Sequence, residues 1–190
     1  MRARSALAIT ALVFAGAIGA PATASARPLD KGHFHDVFTD SFDCDGTPVQ
    51  VDGEVSGNFL LNLRGSSPFP FFRESVRGTV VFTNLDTGGT FTLVFTTNTR
   101  DHTIVDNGDG TITVTSFASG GFRALDQDGK LVLKDPGQLR FAIDFDFNGT
   151  PRNLDDDVEV PDSFRIVRPS TGRNDTEGRD FCADLVTFTS

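Results

Sequence analysis

The stretch VQVDGEVSGNFLLNLR, residues 49–64, alternates apolar and polar side chains along nearly its whole length. One face collects the apolar residues and two glycines: Val49, Val51, Gly53, Val55, Gly57, Phe59, Leu61 and Leu63. The other face collects polar side chains: Gln50, Asp52, Glu54, Ser56, Asn58 and Asn62. A period of two is typical of a β-strand with one buried face. Because such a strand would be unusually long, the glycines are expected either to let it coil sharply or to break it in two.

The rest of the chain repeats this alternation in shorter segments. Strands are expected at residues 79–83, 90–96, 103–105, 111–117, 130–134, 138–147, 164–167 and 181–189. Asp, Asn and Gly, which favour tight turns, are concentrated between them at residues 84–89, 106–110, 126–129 and 135–137. No helical period stands out. We therefore expect an all-β protein of about eight to ten short antiparallel strands.

Residues 148–178 differ from the rest of the chain. They are acidic and rich in Pro, Gly and Asn, and only residues 164–167 look like a strand. We expect a long acidic loop at about 148–178 inside a single domain of residues 27–190, a length suited to one hydrophobic core.

Residues 1–26 have the pattern of a signal peptide. Arg2 and Arg4 precede an apolar run over residues 6–20, and residues 24–26, Ala-Ser-Ala, provide the small side chains that a signal peptidase requires. The run is shorter than the roughly 20 apolar residues of a membrane span. We expect cleavage after Ala26 and a secreted, extracellular protein with no membrane span after cleavage; an uncleaved N-terminal anchor is the alternative.

Removal of residues 1–26 would make the negative net charge of the chain larger. The whole chain has a formal charge of −9, and removing Arg2 and Arg4 leaves 15 basic against 26 acidic side chains, a net charge of −11. Binding to nucleic acid or to anionic lipid depends on Lys and Arg that neutralise phosphates. We therefore expect neither partner.

Cys44 and Cys182 are the only cysteines of the chain. An even number in an oxidising compartment predicts a disulfide. A reactive thiolate would need a basic neighbour, whereas Cys44 lies between Asp43 and Asp45. The bridge would join the first strand to the last, where an up-and-down barrel meets itself. We expect an antiparallel meander closed as a β-barrel, with a two-sheet β-sandwich as the alternative.

Three short motifs accompany the Ala-rich leader: Phe42-Asp43-Cys44-Asp45-Gly46, Gly108-Asp109-Gly110-Thr111 and Phe181-Cys182. With them the chain resembles a group of small actinobacterial exported β-rich proteins of unassigned function, over most of its length after the leader. The resemblance implies a fold, a bacterial origin and a compartment. It transfers no catalytic residue.

The aromatic composition is one-sided, with 19 Phe and neither Tyr nor Trp. This counts against a typical carbohydrate-binding module, which favours Trp and Tyr. Three of the phenylalanines, Phe69, Phe71 and Phe72, alternate with prolines in residues 66–72, SSPFPFF. They form either an apolar lip for a ligand at the mouth of a barrel or, as we prefer, a plug that folds inward.

Two places have the spacing of metal ligands. Asp144, Asp146, Asn148 and Asp155 fit an oxygen-ligand calcium loop, although the final ligand is Asp instead of Glu. The alternative, which we prefer, is that Asp144 and Asp146 are the solvent face of a strand. His33 and His35 could share a zinc ion with a third ligand, a weaker pattern. The acidic run at residues 155–157 is interpreted as a solvated loop.

No nucleophile motif is present, and the three histidines lack a recognisable Ser or Cys partner. We expect a secreted, non-enzymatic β-barrel that binds a small apolar ligand or a cell-surface component, without a required cofactor. The alternatives are a barrel-housed enzyme of the isomerase or cyclase type and a calcium-dependent structural surface protein. The sequence does not predict the oligomeric state.

Overall fold

The computed structural model describes residues 28–190, which form a curled antiparallel sheet and a C-terminal helix. The expected signal peptide, residues 1–26, lies outside the described residues. Six long strands follow one another: β1 (Asp30–Cys44), β2 (Thr47–Asn62), β3 (Phe71–Asn84), β4 (Thr90–Asp106), β5 (Thr111–Leu125) and β6 (Leu131–Asp146). Two short strands, β7 (Val158–Glu159) and β8 (Arg165–Arg168), pair with β6, and the helix α1 spans Phe181–Phe188.

The expected antiparallel meander is confirmed with eight strands, but six of them are longer than expected. Residues 49–62 belong to the unbroken strand β2, so the two glycines do not divide it. Residues 90–96 and 103–105 both belong to β4, whose pairing with β5 shifts at His102. Residues 130–134 and 138–147 were expected to be two strands with a turn at 135–137, and this was wrong, because β6 runs through all three segments.

The strand β6 passes Pro136 because its neighbour bends with it. Pro136 lies opposite Gly121, and Gly137 lies opposite Gly120. The φ angles of Gly120 and Gly121 are +145° and +149°, values that residues with a side chain rarely adopt. A Cβ atom on Gly121 would lie 2.1 Å from the carbonyl oxygen of Asp135. The two strands therefore approach closely and kink together instead of turning.

Phenylalanine rings lie over glycines on adjacent strands. Four directly opposed pairs occur among the described residues: Gly32–Phe59, Gly53–Phe38, Gly57–Phe34 and Gly78–Phe95. In each, an added Cβ would lie within 2.1–2.7 Å of a ring carbon. A ring that covers a glycine shields backbone that would otherwise be exposed, and the missing side chain gives the ring room. This pairing accounts for part of the high Phe and Gly content.

The core lies on the inner face of the sheet, at the end where α1 packs. Its buried members come from five strands or their ends and from the helix: Cys44, Val49, Phe91, Ala124, Leu133 and Leu185. In a flat sheet β1 and β6 would be about 24 Å apart, at about 4.8 Å per strand. Their residues instead meet in one cluster with Leu185, so the sheet curls around the helix.

The helix α1 corrects a prediction. Residues 181–189 were expected to be a strand, and this was wrong, because Phe181–Phe188 form a helix. The Asp180 side chain accepts a hydrogen bond from the Ala183 N–H at 2.8 Å, which caps the first turn. Phe181, Leu185 and Phe188 recur at helical spacing and face the core, so packing outweighs local propensity.

The predicted disulfide is present. Cys44 and Cys182 are joined with Cα atoms 5.1 Å apart, and the bridge ties the end of β1 to α1 instead of to a last strand. A disulfide is consistent with an oxidising compartment such as the extracellular space.

The expected closure into a barrel is not confirmed, because the sheet stays open. Within residues 28–190, β1 pairs only with β2, and the opposite edge of the sheet is formed by β7 and β8 against β6. The disulfide and α1 bridge the gap at one end of the sheet. The other end contains the candidate site.

Candidate functional site

A cavity of about 300 Å³ lies at the end of the sheet opposite to α1. Its walls come from β3, β4, β5 and β6, from the loop before β3 and from the segment before β7. Apolar side chains make most of the lining: Phe69, Pro70, Phe72, Ile104, Ile112, Val114, Ile143, Phe145 and Leu154. Polar lining comes from Thr99, Asp101, Ser116 and Asp157. Concave, mostly apolar cavities with a few polar groups are typical of small-molecule sites.

The loop of residues 66–72 closes this end of the sheet. Phe69 is only 5% exposed, and its ring packs edge to face on Phe147 with centroids 5.1 Å apart. The Ser67 hydroxyl donates to the Phe69 carbonyl at 2.9 Å, which holds the loop in place. The inward-folded plug that we preferred from the sequence therefore describes Phe69.

The other two phenylalanines of this loop are separated by the strand alternation. Phe72 lines the cavity and stacks on Phe59, whereas Phe71 lies under the guanidinium of Arg64, 4.4 Å from the ring centroid. Of the three predicted ligand-contacting residues, the structure thus brings Phe69 and Phe72 to one cavity and leaves Phe71 outside its lining.

Asp101 is a buried carboxyl group of the cavity, at 8% exposure. The shift in register at His102 keeps both Asp101 and Ile104 on the inner face of β4. The Asp101 carboxylate accepts hydrogen bonds from the Phe72 N–H and from the Ser116 hydroxyl, each at 2.8 Å. Burial raises the pKa of Asp101 above 3.8, and these hydrogen bonds and the charge of Arg64 only partly oppose the rise.

Asp157 is the second carboxyl group on the cavity. It follows a short 3₁₀ helix, Leu154–Asp156, in which the Asp157 N–H donates to the Leu154 carbonyl. Burial raises the pKa of Asp157, and the nearby charges of Asp156 and Asp146 raise it further. Its Oδ1 atom is shielded from solvent and has no hydrogen-bond donor within reach among the described residues.

The chemistry of the cavity follows from these two acids. Its lining, as far as the described chain supplies it, contains no Lys, Arg or His, so Asp101 and Asp157 are its charged groups. Two carboxyl groups with raised pKa values inside apolar walls can accept hydrogen bonds when ionised and donate a proton when neutral.

The four predicted calcium ligands are not gathered around one point. Asp144 is engaged by Arg165, with an N–O distance of 3.1 Å, and by the Thr113 hydroxyl at 2.7 Å. Asp146 accepts from the Asn148 N–H at 2.9 Å, as in an Asx turn. Asp155 is exposed. Asp144 is therefore in a strand, as in the interpretation that we preferred, and calcium binding stays an untested prediction.

Other combinations of possible metal ligands in the described chain do not form a site either. Among residues 28–190, no group of three or more His, Cys, Asp or Glu side chains is arranged to hold a metal ion. His33 and His35 are exposed on β1.

Neither cavity acid was predicted from the sequence as a site residue. A signal for Asp101 was available, because it continues the odd-numbered apolar face of β4 that includes Phe91, Leu93 and Phe95. Asp157 carried no such signal. The run at 155–157 was interpreted as solvated, which holds for Asp155 and is wrong for the Oδ1 atom of Asp157.

In comparisons with protein-family models, with curated proteins and with solved structures, nothing matches this chain significantly. The resemblance to actinobacterial exported proteins stays a prediction. No helix within residues 28–190 has the length and apolar character that crossing a bilayer requires.

Proposed function

We propose that this protein is secreted and, without catalysing a reaction, binds a small and largely apolar molecule in the cavity between residues 66–72 and β4–β6. The observation that carries the proposal is the cavity itself, with its phenylalanine and aliphatic walls. Water in such a space gains few hydrogen bonds, so its replacement by an apolar group is favourable.

The volume sets the size of the ligand. An apolar cavity of about 150 Å³ accommodates benzene. A cavity of about 300 Å³ is twice as large and suits a molecule of roughly ten to twelve non-hydrogen atoms by the same measure. The volume of the cavity therefore favours a small molecule over a cell-surface polymer as its ligand.

Barrel architecture and export belong to the same proposal. We regard the curled sheet as a barrel whose seam between β1 and β6 is held by α1 and by the Cys44–Cys182 bridge instead of by strand pairing. In support, residues of both strands contact one helix. Export is supported by the leader pattern of residues 1–26 and by the disulfide.

The two cavity carboxyl groups favour a second candidate, a cavity-housed enzyme of the isomerase or cyclase type. A carboxyl group whose pKa is raised by burial, such as Asp101, keeps its proton to higher pH than an exposed carboxyl group does and can act as a general acid. An enzyme would convert the molecule it binds, whereas a binding protein would return it unchanged. Mass spectrometry of a ligand before and after incubation with the protein separates the two.

The binding proposal is tested with a probe of the expected size, 4-phenylbutan-1-ol, by isothermal titration calorimetry on the secreted, disulfide-bonded protein. We expect saturable one-to-one binding. Val114→Phe should weaken it strongly, because Val114 lines the cavity and the larger ring would occupy part of the space that the probe needs.

Thr115→Phe is the matched control. Thr115 is the next residue of β5, so its side chain points to the opposite face, and it does not line the cavity. This variant should bind the probe as the unchanged protein does. Equal affinity of Val114→Phe and the unchanged protein, or no binding by either, would contradict the proposal.

A further inference from the structure

The charge of the cavity restricts which apolar molecules it accepts. Its charged lining groups in the described chain are both acids, Asp101 and Asp157. The nearest positive group, the guanidinium of Arg64, is held at the Asp101 backbone carbonyl, 3.0 Å away, and over the Phe71 ring. Neither the Arg64 side chain nor Phe71 lines the cavity. A ligand inside therefore meets two acids in the cavity wall, and the charge of Arg64 offsets that of Asp101 only in part.

The two acids differ in their hydrogen bonds. Both oxygens of Asp101 already accept from protein donors, the Phe72 N–H and the Ser116 hydroxyl. The Oδ1 atom of Asp157 accepts from no donor in the described chain, although it is shielded from solvent. A water-sized group does not reach that atom, but no hydrogen bond of the described chain ends on the Oδ2 atom either, so the Asp157 carboxylate keeps unused acceptor capacity at the cavity wall. Asp157 is therefore the group that is free to bind a ligand donor.

We propose that the cavity selects molecules that carry an amine at one end of an apolar body, with the amine held by Asp157 and the body packed between Phe69, Ile112 and Phe145. This inference rests on the proposed function and specifies its ligand class. An ammonium group donates to Asp157 while Asp101 adds attraction without direct contact. A carboxylate of the same size is rejected, because it would lie beside two acids in a site with little water.

The test compares three ligands with the same phenylbutyl body: 4-phenylbutylamine, 4-phenylbutan-1-ol and 4-phenylbutanoate. Affinities are measured by isothermal titration calorimetry on the full secreted protein at neutral pH. We expect the amine to bind roughly tenfold more tightly than the alcohol, the gain typical of a charge-assisted hydrogen bond. We expect no detectable binding of the carboxylate.

Asp157→Asn should remove most of the amine's advantage over the alcohol, leaving only the weaker attraction of Asp101, and should leave the affinity for the alcohol unchanged. Asp155→Asn removes the same charge two residues away, at an exposed position, and should keep the preference. The ranking of the three ligands on the unchanged protein tests the inference even if the Asp157 variant does not fold.

The outcomes separate the two proposals. Failure of all three ligands to bind would overturn the proposed function. Binding of the alcohol together with equal or weaker binding of the amine, or an amine preference that Asp157→Asn leaves undiminished, would overturn only the inference about Asp157.

Discussion

Asp101 is a carboxyl group whose local hydrogen bonds and burial act in opposite directions. Two donors and the charge of Arg64 favour the ionised form, but removal from water favours the neutral form more strongly. The pKa of Asp101 therefore lies above its value of 3.8 in the unfolded chain. The folded state binds this proton at a higher pH than the unfolded state does.

This difference makes a prediction about stability. Between the folded and unfolded pKa values of Asp101, only the folded state binds the proton, so stability rises as the pH falls through that window. The variant Asp101→Asn has no carboxyl group at this position, so its stability does not rise in this way as the pH falls. The thermal midpoint of the unchanged protein minus that of the variant should therefore increase as the pH is lowered through the window between the raised pKa of folded Asp101 and 3.8.

Thermal unfolding followed by circular dichroism at several pH values measures this difference. The other carboxyl groups are common to both proteins and affect the two midpoints alike. A difference that stays constant or shrinks as the pH falls would mean that burial does not control the protonation of Asp101.

At the scale of elements, β2 shows how a long strand tolerates glycine. Phe38 covers Gly53 and Phe34 covers Gly57 from the adjacent β1. The two sites differ in what else is near. At Gly53 the three closest atoms to an added Cβ all belong to the Phe38 ring, which is 42% exposed, whereas at Gly57 the Ser75 backbone oxygen also lies 2.7 Å away.

Gly57→Ala should therefore destabilise the protein by about 2–3 kcal/mol, because the strand backbone of Ser75 cannot move aside. Gly53→Ala should cost about 1 kcal/mol or less, since the exposed Phe38 ring can rotate away and alanine reduces the entropy of the unfolded chain. Urea unfolding of both variants measures the two free energies. Equal losses would show that contact with the ring, and not with the backbone, decides the cost.

The sequence predicts those elements that are determined by nearby residues, and it does not predict those that depend on contacts with distant parts of the chain. Alternation in residues 49–62 and the Asp-rich turns are local, and they predict the meander. The continuity of β6 through Pro136 depends on the kink at Gly120 and Gly121 in the neighbouring strand, and no pattern within β6 reveals it. The helix α1 was recognisable from the Asp180 cap, yet its β-branched residues suggested a strand.

The candidate site was predictable only in its apolar part. Phe69 and Phe72 stand out in residues 66–72 because prolines and phenylalanines alternate there. The burial of Asp101 and Asp157 depends on register and on the return of residues 154–157 to the end of the sheet, which are contacts distant in sequence. Such contacts follow from the whole fold and not from a motif.

For the whole molecule, the open edge at β1 is the feature that requires protection. A long unpaired strand edge is a template for association with another chain. On the inner face of β1, Asp36 and Asp40 alternate with Phe34, Phe38 and Phe42. Inward-pointing charges on an edge strand oppose pairing with a second edge, so the two acids are expected to keep copies apart.

Replacing both acids, as in Asp36→Thr/Asp40→Thr, should therefore produce self-association that increases with protein concentration. Threonine keeps the strand propensity while it removes the charge. Sedimentation velocity measures the association. Asp86→Thr/Asp128→Thr removes the same charge from exposed turns away from the edge and should sediment as the unchanged protein does. Identical behaviour of the two double variants would argue against a protective role.

The bridge between Cys44 and Cys182 also has a consequence for the order of events during folding. The two cysteines are 138 residues apart, and all strands from β2 to β8 lie between them. The cross-link can form only once the chain through Cys182 has been synthesised, so all strands from β2 to β8 are available to fold before it. With two cysteines in the chain, one intramolecular pairing is possible, so maturation requires an oxidant but no shuffling of wrong bridges by an isomerase.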